Sequence, residues 1–199
     1  YEKVNASNLA SAASFFSAAK TKELLKADAK EVIALMDSCV AHCPQPVTAD
    51  FAPYLLERAQ LYMNNDQARN AMLDYDAYYK AVNGQVNDLF YYYREQAALK
   101  ARQYQRALDD IVKAVELSPK DLTYRAEHAV VNLRVGRYEE SMKILNEILK
   151  DEPKYGEAYR LLGLCQIQLK KTDEACGNFN KAKELGDPNV DELIKKYCK

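Results

Sequence analysis

The chain has 199 residues, 48% of them hydrophobic and 29% charged, with a formal net charge of −1. That length fits one domain with a sizeable core, and the balance is that of a globular rather than a disordered chain. The near-neutral charge leaves no basic excess to recommend nucleic acid as a partner, and no apolar run reaches the ~18–20 residues of a membrane span, so no membrane insertion is expected.

In chain order, residues 8–26 come first. They are Ala-rich, carry Leu9, Phe15, Phe16, Leu24 and Leu25, and read as a helix. The lysines at 20, 22, 26 and 30 are diluted by Glu23 and Asp28, which is the pattern of a solvated helix face. Asp28 and Glu31 stand at capping-box spacing and open a second helix through about Cys43, stopped by Pro44 and Pro46. Cys39, His42 and Cys43 cluster at the end of that helix. A zinc site also needs a fourth protein ligand or a catalytic water, and no second Cys/His cluster exists. We therefore expect no metal and no cofactor. A Cys39–Cys43 disulfide inside one helical turn would be strained.

From residue 52 the sequence repeats. Pro119 and Pro153 lie 34 residues apart, each ending a helix-like segment. Tyr104, Ala107, Ile111 and Ala114 recur at the same offset as Tyr138, Ser141, Leu145 and Ile148, then as Thr172, Ala175, Phe179 and Ala182. Ala71, Tyr75 and Tyr78 belong to an earlier copy, 36 residues from the next; the two extra residues fall in a loop that contains Asn83 and Gly84. Within a copy, apolar or small residues at i, i+4 and i+7 share one helix face. The small members let two helices approach closely.

This pattern resembles the tetratricopeptide repeat over about residues 52–185. Tyr159, Leu162, Gly163, Ala175, Phe179 and Ala182 of the fourth copy match it best. The resemblance implies an all-α fold, a right-handed superhelical solenoid of antiparallel helix pairs. We expect one domain: a degenerate N-terminal pair (1–49), repeats at 52–87, 88–121, 122–155 and 156–187, and a C-terminal capping helix within 189–199. Departures are Glu95, where a small residue is usual, Arg125, where an aromatic is usual, and a terminal Pro displaced to Pro188. The start at Tyr1 rather than Met suggests a processed or excised product, with an upstream signal or further repeats removed.

Arg and Asp come and go together in the copies. Arg58 and Arg94 occupy the seventh position of the first helix, with Asp74 and Asp110 sixteen residues on; His128 and Leu162 face Ile144 and Asn178 instead. We expect Arg58–Asp74 and Arg94–Asp110 ion pairs, and a structural place for His128.

In the capping helix, Leu193, Ile194 and Tyr197 should turn inward, and Cys176 and Cys198 could then meet. Exported bacterial repeat proteins are similar here, with a Cys after the second-helix Ala and another at the end of the cap. That resemblance implies a Cys176–Cys198 disulfide and an oxidising, periplasmic or secreted location; two free thiols are the alternative.

In this family the first helix of each pair lines a concave face where peptides lie. By position that face carries Gln60 and Asn64, then Tyr92, Tyr93, Gln96 and Lys100, then Glu127 and Arg134, then Arg160 and Gln168. Tyr and Arg are enriched at binding hot spots. The alternative is that these residues are solvated, or that Tyr92 or Tyr93 packs on a neighbouring repeat. The Lys and Asn pairs by which some members hold chaperone tails are replaced by Leu56/Gln60, Tyr92/Gln96, Ala126/Val130 and Arg160/Leu164, so such tails are not expected. No phosphate-binding Gly loop and no nucleophile elbow occurs. The resulting expectation is a non-enzymatic scaffold that binds a protein or peptide on its concave face, with no small-molecule substrate. The alternatives are a structural or assembly subunit, or a fragment of a longer solenoid, and last an enzyme such as a small hydrolase, which would require a closed pocket with a shifted carboxylate or His.

Overall fold

The computed structural model describes residues 6–198, with side chains from Ser11 onward; the side chain of Leu9 lies outside the described ones. Among the described residues all regular structure is helical. It falls into two compact units, one ending at Arg102 and one beginning at Gln103.

The first unit opens with α1 (Ala6–Leu24) packed on α2 (Ala29–Ala41). Asp28 caps α2 by accepting the Lys30 amide at 2.8 Å, while Glu31 turns to Lys22 Nζ at 2.7 Å. Helix α2 stops at Ala41, two residues before Cys43, and the His42 ring meets the Ser38 carbonyl oxygen at 2.7 Å. Cys39 and Cys43 are free and buried, and burial pushes the Cys39 thiol up to about 12. Leu24 and Leu25 remain exposed beyond this pair. A 3-10 turn (Ala49–Phe51) leads into α3 (Ala52–Asn64), which packs on α2 and on α4 (Ala68–Ala81); α5 (Asp88–Lys100) follows against α4. Ala52, Ala59 and Ala71, all without exposure, allow that close helix approach.

Helix α3 is tied to both neighbours by charge. Arg58 reaches Asp74 on α4 with Nη2 and Nε, at 2.7 and 2.9 Å, and Asp37 on α2 with Nη1 at 3.0 Å. Tyr62 donates to the same Asp37 oxygen at 2.7 Å. The Arg58–Asp74 pair expected from the sequence is present. Arg94 and Asp110 belong to different units, and their pairing remains an expectation.

The second unit comprises α6 (Tyr104–Leu117), α7 (Leu122–Arg134), α8 (Tyr138–Asp151), α9 (Gly156–Gln168), α10 (Thr172–Glu184) and α11 (Asp191–Tyr197), each packed on the next. The sequence period is visible in the helix starts: α6, α8 and α10 begin 34 residues apart, as do α7 and α9. In the first unit α3 and α5 start 36 apart. Close approach is explicit at Gly163, where a Cβ would collide with the Phe179 ring. In the preceding pair the Ser141 hydroxyl donates to the Ala129 carbonyl at 2.7 Å. Leu193, Ile194 and Tyr197 of α11 pack on Ala175, Phe179, Ala182 and Val190. Cys176 of α10 is disulfide-bonded to Cys198, just past α11.

One backbone feature recurs without a sequence signature. The residue two past the end of α3, α5, α7 and α9 is left-handed in every case: Asp66, Arg102, Gly136 and Lys170, with φ of 56°, 60°, 81° and 61°. The next amide then bonds back across the helix end, as from Gln67 to Tyr62, Arg137 to Asn132 and Lys171 to Gln166, at 2.8–2.9 Å. This closes the orphan carbonyls of each helix.

Candidate functional site

The extra two residues between α4 and α5 shape the candidate site. Asn83 and Gly84 both take positive φ, 52° and 72°, and turn the chain after α4. Asn87 then starts α5 by accepting the Phe90 amide on Oδ1 at 3.0 Å. The connection so placed walls a cavity of about 740 Å³ on the α3 and α5 side of the first unit.

Its base is aromatic. Phe90 stacks on Tyr78 at 5.3 Å between ring centroids and meets Tyr75 edge-on at 5.8 Å. Tyr75 is buried, and burial pushes its hydroxyl up to about 12. Behind this cluster Arg94 lies over the Tyr79 and Phe90 rings, at 4.9 and 5.1 Å, and steadies it by cation–π contact. Leu56 of α3 and Val86 of the loop add apolar wall. Leu89 and Tyr93 also line the cavity and remain 44% and 43% exposed. Polar atoms come from Gln60, Gln85 and Asn87, and Glu57, the single carboxylate among the described lining residues, is held by Lys20 at 2.8 Å.

Of the residues singled out from sequence, Gln60 and Tyr93 come together here. Asn64 accepts from the Gln60 amide at 3.0 Å. Tyr92 packs ring to ring with Tyr93 at 5.6 Å, and Gln96 donates to the buried Glu95 at 2.7 Å. Lys100 sits near the Met63 carbonyl (3.4 Å) and Asp66 (3.7 Å). In the second unit Arg134 is exposed, as is Gln168. Arg160 is engaged internally: Glu157 at 2.6 Å and Asp187 at 3.0 Å hold a side chain only 14% exposed. Sequence reasoning missed Tyr78, Leu89 and the loop residues 85–87 as lining. The 36-residue spacing was the available signal.

Among the described residues no three His, Cys, Asp or Glu side chains gather to hold a metal, and no helix is long and apolar enough to cross a membrane. Tyr75 aside, the groups with perturbed acidity lie outside the cavity lining. Burial pushes the Asp74 carboxyl up against the pull of Arg58, and burial pulls His128 down. Neither residue lines the cavity.

Residues 98–163 match the sequence profile of the tetratricopeptide repeat. The chain is 29% identical over 99 residues to small glutamine-rich tetratricopeptide repeat-containing protein 2 of Mycosarcoma maydis, covering 50% of this chain and 28% of that one. It is 31% identical over 101 residues to heat shock protein STI1 of Saccharomyces cerevisiae, covering 49% and 17%. The chain thus spans less than a third of the length of these curated relatives. Among solved structures, YrrB, described as a TPR protein with an unusual peptide-binding site, superposes with a TM-score of 0.71 at 16% identity, over 92% of this chain and 90% of that one. MamA does so with a TM-score of 0.70 at 18% identity, over 95% and 96%. These likenesses establish the helical-pair fold. Such repeats are in general non-catalytic modules that bind proteins or peptides. The chain thus carries tetratricopeptide repeats, matched by the family profile over residues 98–163.

Proposed function

We propose that this chain is an interaction scaffold that takes a peptide segment of a partner protein on the helix face formed by α3 and α5, with Gln60 and Tyr93 among its contacts. The repeat boundaries at 52–87, 88–121, 122–155 and 156–187, the capping segment and the degenerate pair at 1–49 belong to the same proposal. The observation that carries it is the aromatic cavity of the first unit, which opens beside two exposed large apolar residues, Leu89 and Tyr93. Exposed apolar groups around a pocket are a mark of protein contact. Leu56 and Gln60, standing where other members carry a tail-binding Lys and Asn, line this cavity, which argues for a different ligand chemistry. Affinity capture from native extract tests the reading. Tyr93→Ala combined with Gln60→Ala should abolish partner recovery, and Lys143→Ala on the exposed side of α8 should leave it intact. Unchanged recovery with the double variant would remove the site from consideration.

A second reading, an assembly subunit, draws on the first helix pair. Leu24 and Leu25 are 84% and 73% exposed, and Leu25 lines a shallow groove with Ala18 and Leu35. Sedimentation of Leu24→Glu against the unaltered chain separates the two, since an assembly seated there would dissociate.

A further inference from the structure

Resting on the reading above, we infer that the occupant of the first-unit cavity is an extended peptide segment. It inserts a bulky apolar side chain, lays its backbone against carboxamides and needs no carboxylate.

The size and base of the cavity indicate the anchor. A volume of about 740 Å³ floored by Tyr75, Tyr78 and Phe90 matches sites that bury apolar groups. Leu89 and Tyr93 are lining residues with much of their surface still in water. An occupant confined to the cavity leaves that surface wet. A chain that continues past its anchor covers it.

The carboxamides indicate the backbone conformation. Asn87 Oδ1 already accepts from the Phe90 amide, so its NH2 group is what it offers a ligand. Gln60 already donates Nε2 to Asn64, so its Oε1 is the matching acceptor. An extended segment presents an open N–H and an open C=O at each residue, whereas a helix satisfies its own. A donor and an acceptor on the two sides of an apolar cavity therefore suit an extended chain.

Charge indicates what the segment lacks. No Lys or Arg is among the described lining residues, and the one carboxylate among them, Glu57, is paired with Lys20. A C-terminal carboxylate or an acidic side chain would meet only Lys20, which Glu57 and Glu23 already hold at 2.8 and 3.0 Å. A neutral or basic internal segment meets no such penalty.

The test is selection of internal peptides from a displayed random library on the purified chain. Enriched sequences are then synthesised with both ends blocked and titrated by calorimetry. The expected result is a shared Leu, Ile, Met, Phe or Tyr, with equal binding of the C-terminal amide and the free acid. Replacing the anchor by Ala, or making Tyr93→Ala or Leu89→Glu in the protein, should each weaken binding about tenfold or more, as loss of a hot spot does. Both protein positions are exposed, so these variants should fold, and a melting curve checks it. Enriched peptides that lack an apolar anchor, or that bind only as free acids, overturn this inference and leave peptide binding standing. Binding untouched by either protein variant overturns the cavity as its place. A chain that enriches no peptide, yet binds the apolar dye anilinonaphthalene sulfonate in a Tyr93-dependent way, overturns both this inference and the peptide-binding reading.

Discussion

Arg58 on α3 grips Asp74 on α4 with two parallel hydrogen bonds, and its third arm reaches Asp37 on α2. The pair is largely dry, at 17% and 5% side-chain exposure. Burial already pushes the Asp74 carboxyl up, so a charge stranded here is poorly tolerated. Arg58→Ala or Asp74→Ala should each destabilise the chain by about 3–5 kcal/mol. The double replacement by apolar residues, Arg58→Met with Asp74→Leu, should recover much of that loss. Urea unfolding of Arg58→Met and Asp74→Leu singly and together gives the cycle, and strict additivity would show that the two side chains do not act as a pair.

This contact was legible in the sequence because Arg and Asp appear and vanish together at a fixed offset of sixteen residues. The same offset joins Gly163 to Phe179, where shape rather than charge is matched. Such pairs repeat because each copy must solve the same packing problem. The cavity does not repeat. It arises where one copy is two residues longer, and Tyr78 or Leu89 looks in sequence like any other apolar helix position. Arg160 shows the converse. Its position suggested an exposed reader, but its partner Asp187 lies in the segment just beyond α10, at a position the repeat pattern does not fix, so the ion pair had no signature. The left-handed residues at 66, 102 and 170 were hidden for another reason. Hydrogen bonds of the turn hold Asp, Arg and Lys in a conformation that only Gly136 advertises.

Gly163→Ala should test close packing in the last helix pair. The new methyl meets the Phe179 ring, and overpacking of this kind destabilises by about 1–3 kcal/mol. Phe179→Leu should be less damaging in the Gly163→Ala background than alone. Thermal melts of the set decide it. A Gly163→Ala melt at the unaltered temperature would mean that the ring moves aside freely.

The Cys176–Cys198 bridge closes a loop of sequence separation 22 and ties the cap to α10. Its removal by Cys176→Ser with Cys198→Ser should lower stability by about 3 kcal/mol. Reductant should lower the unaltered chain to the same level and leave the double variant unmoved, because Cys39, Cys43 and Cys165 are free. Guanidinium midpoints with and without dithiothreitol make the comparison.

His128 supplies a pH dependence. Burial lowers its pKa from 6.5, against a smaller upward pull from Glu140 on α8. The unfolded chain then binds the proton more readily than the folded one as pH falls below 6.5. The His128 contribution is therefore complete above that pH and is lost as pH drops toward the folded value. His128→Gln should flatten this part of the stability profile. Equal slopes for the two proteins, in urea titrations across that window, would place the acid sensitivity elsewhere.

In the proposed complex a partner's peptide is held between α3, the 82–87 connection and α5. Hydrogen–deuterium exchange of the chain, with and without a selected peptide, addresses it most directly. Binding should slow exchange in the 82–87 connection and at the flanking turns of α3 and α5, with Tyr93→Ala erasing the protection. Protection confined to residues after Gln103, or spread evenly over both units, would contradict it.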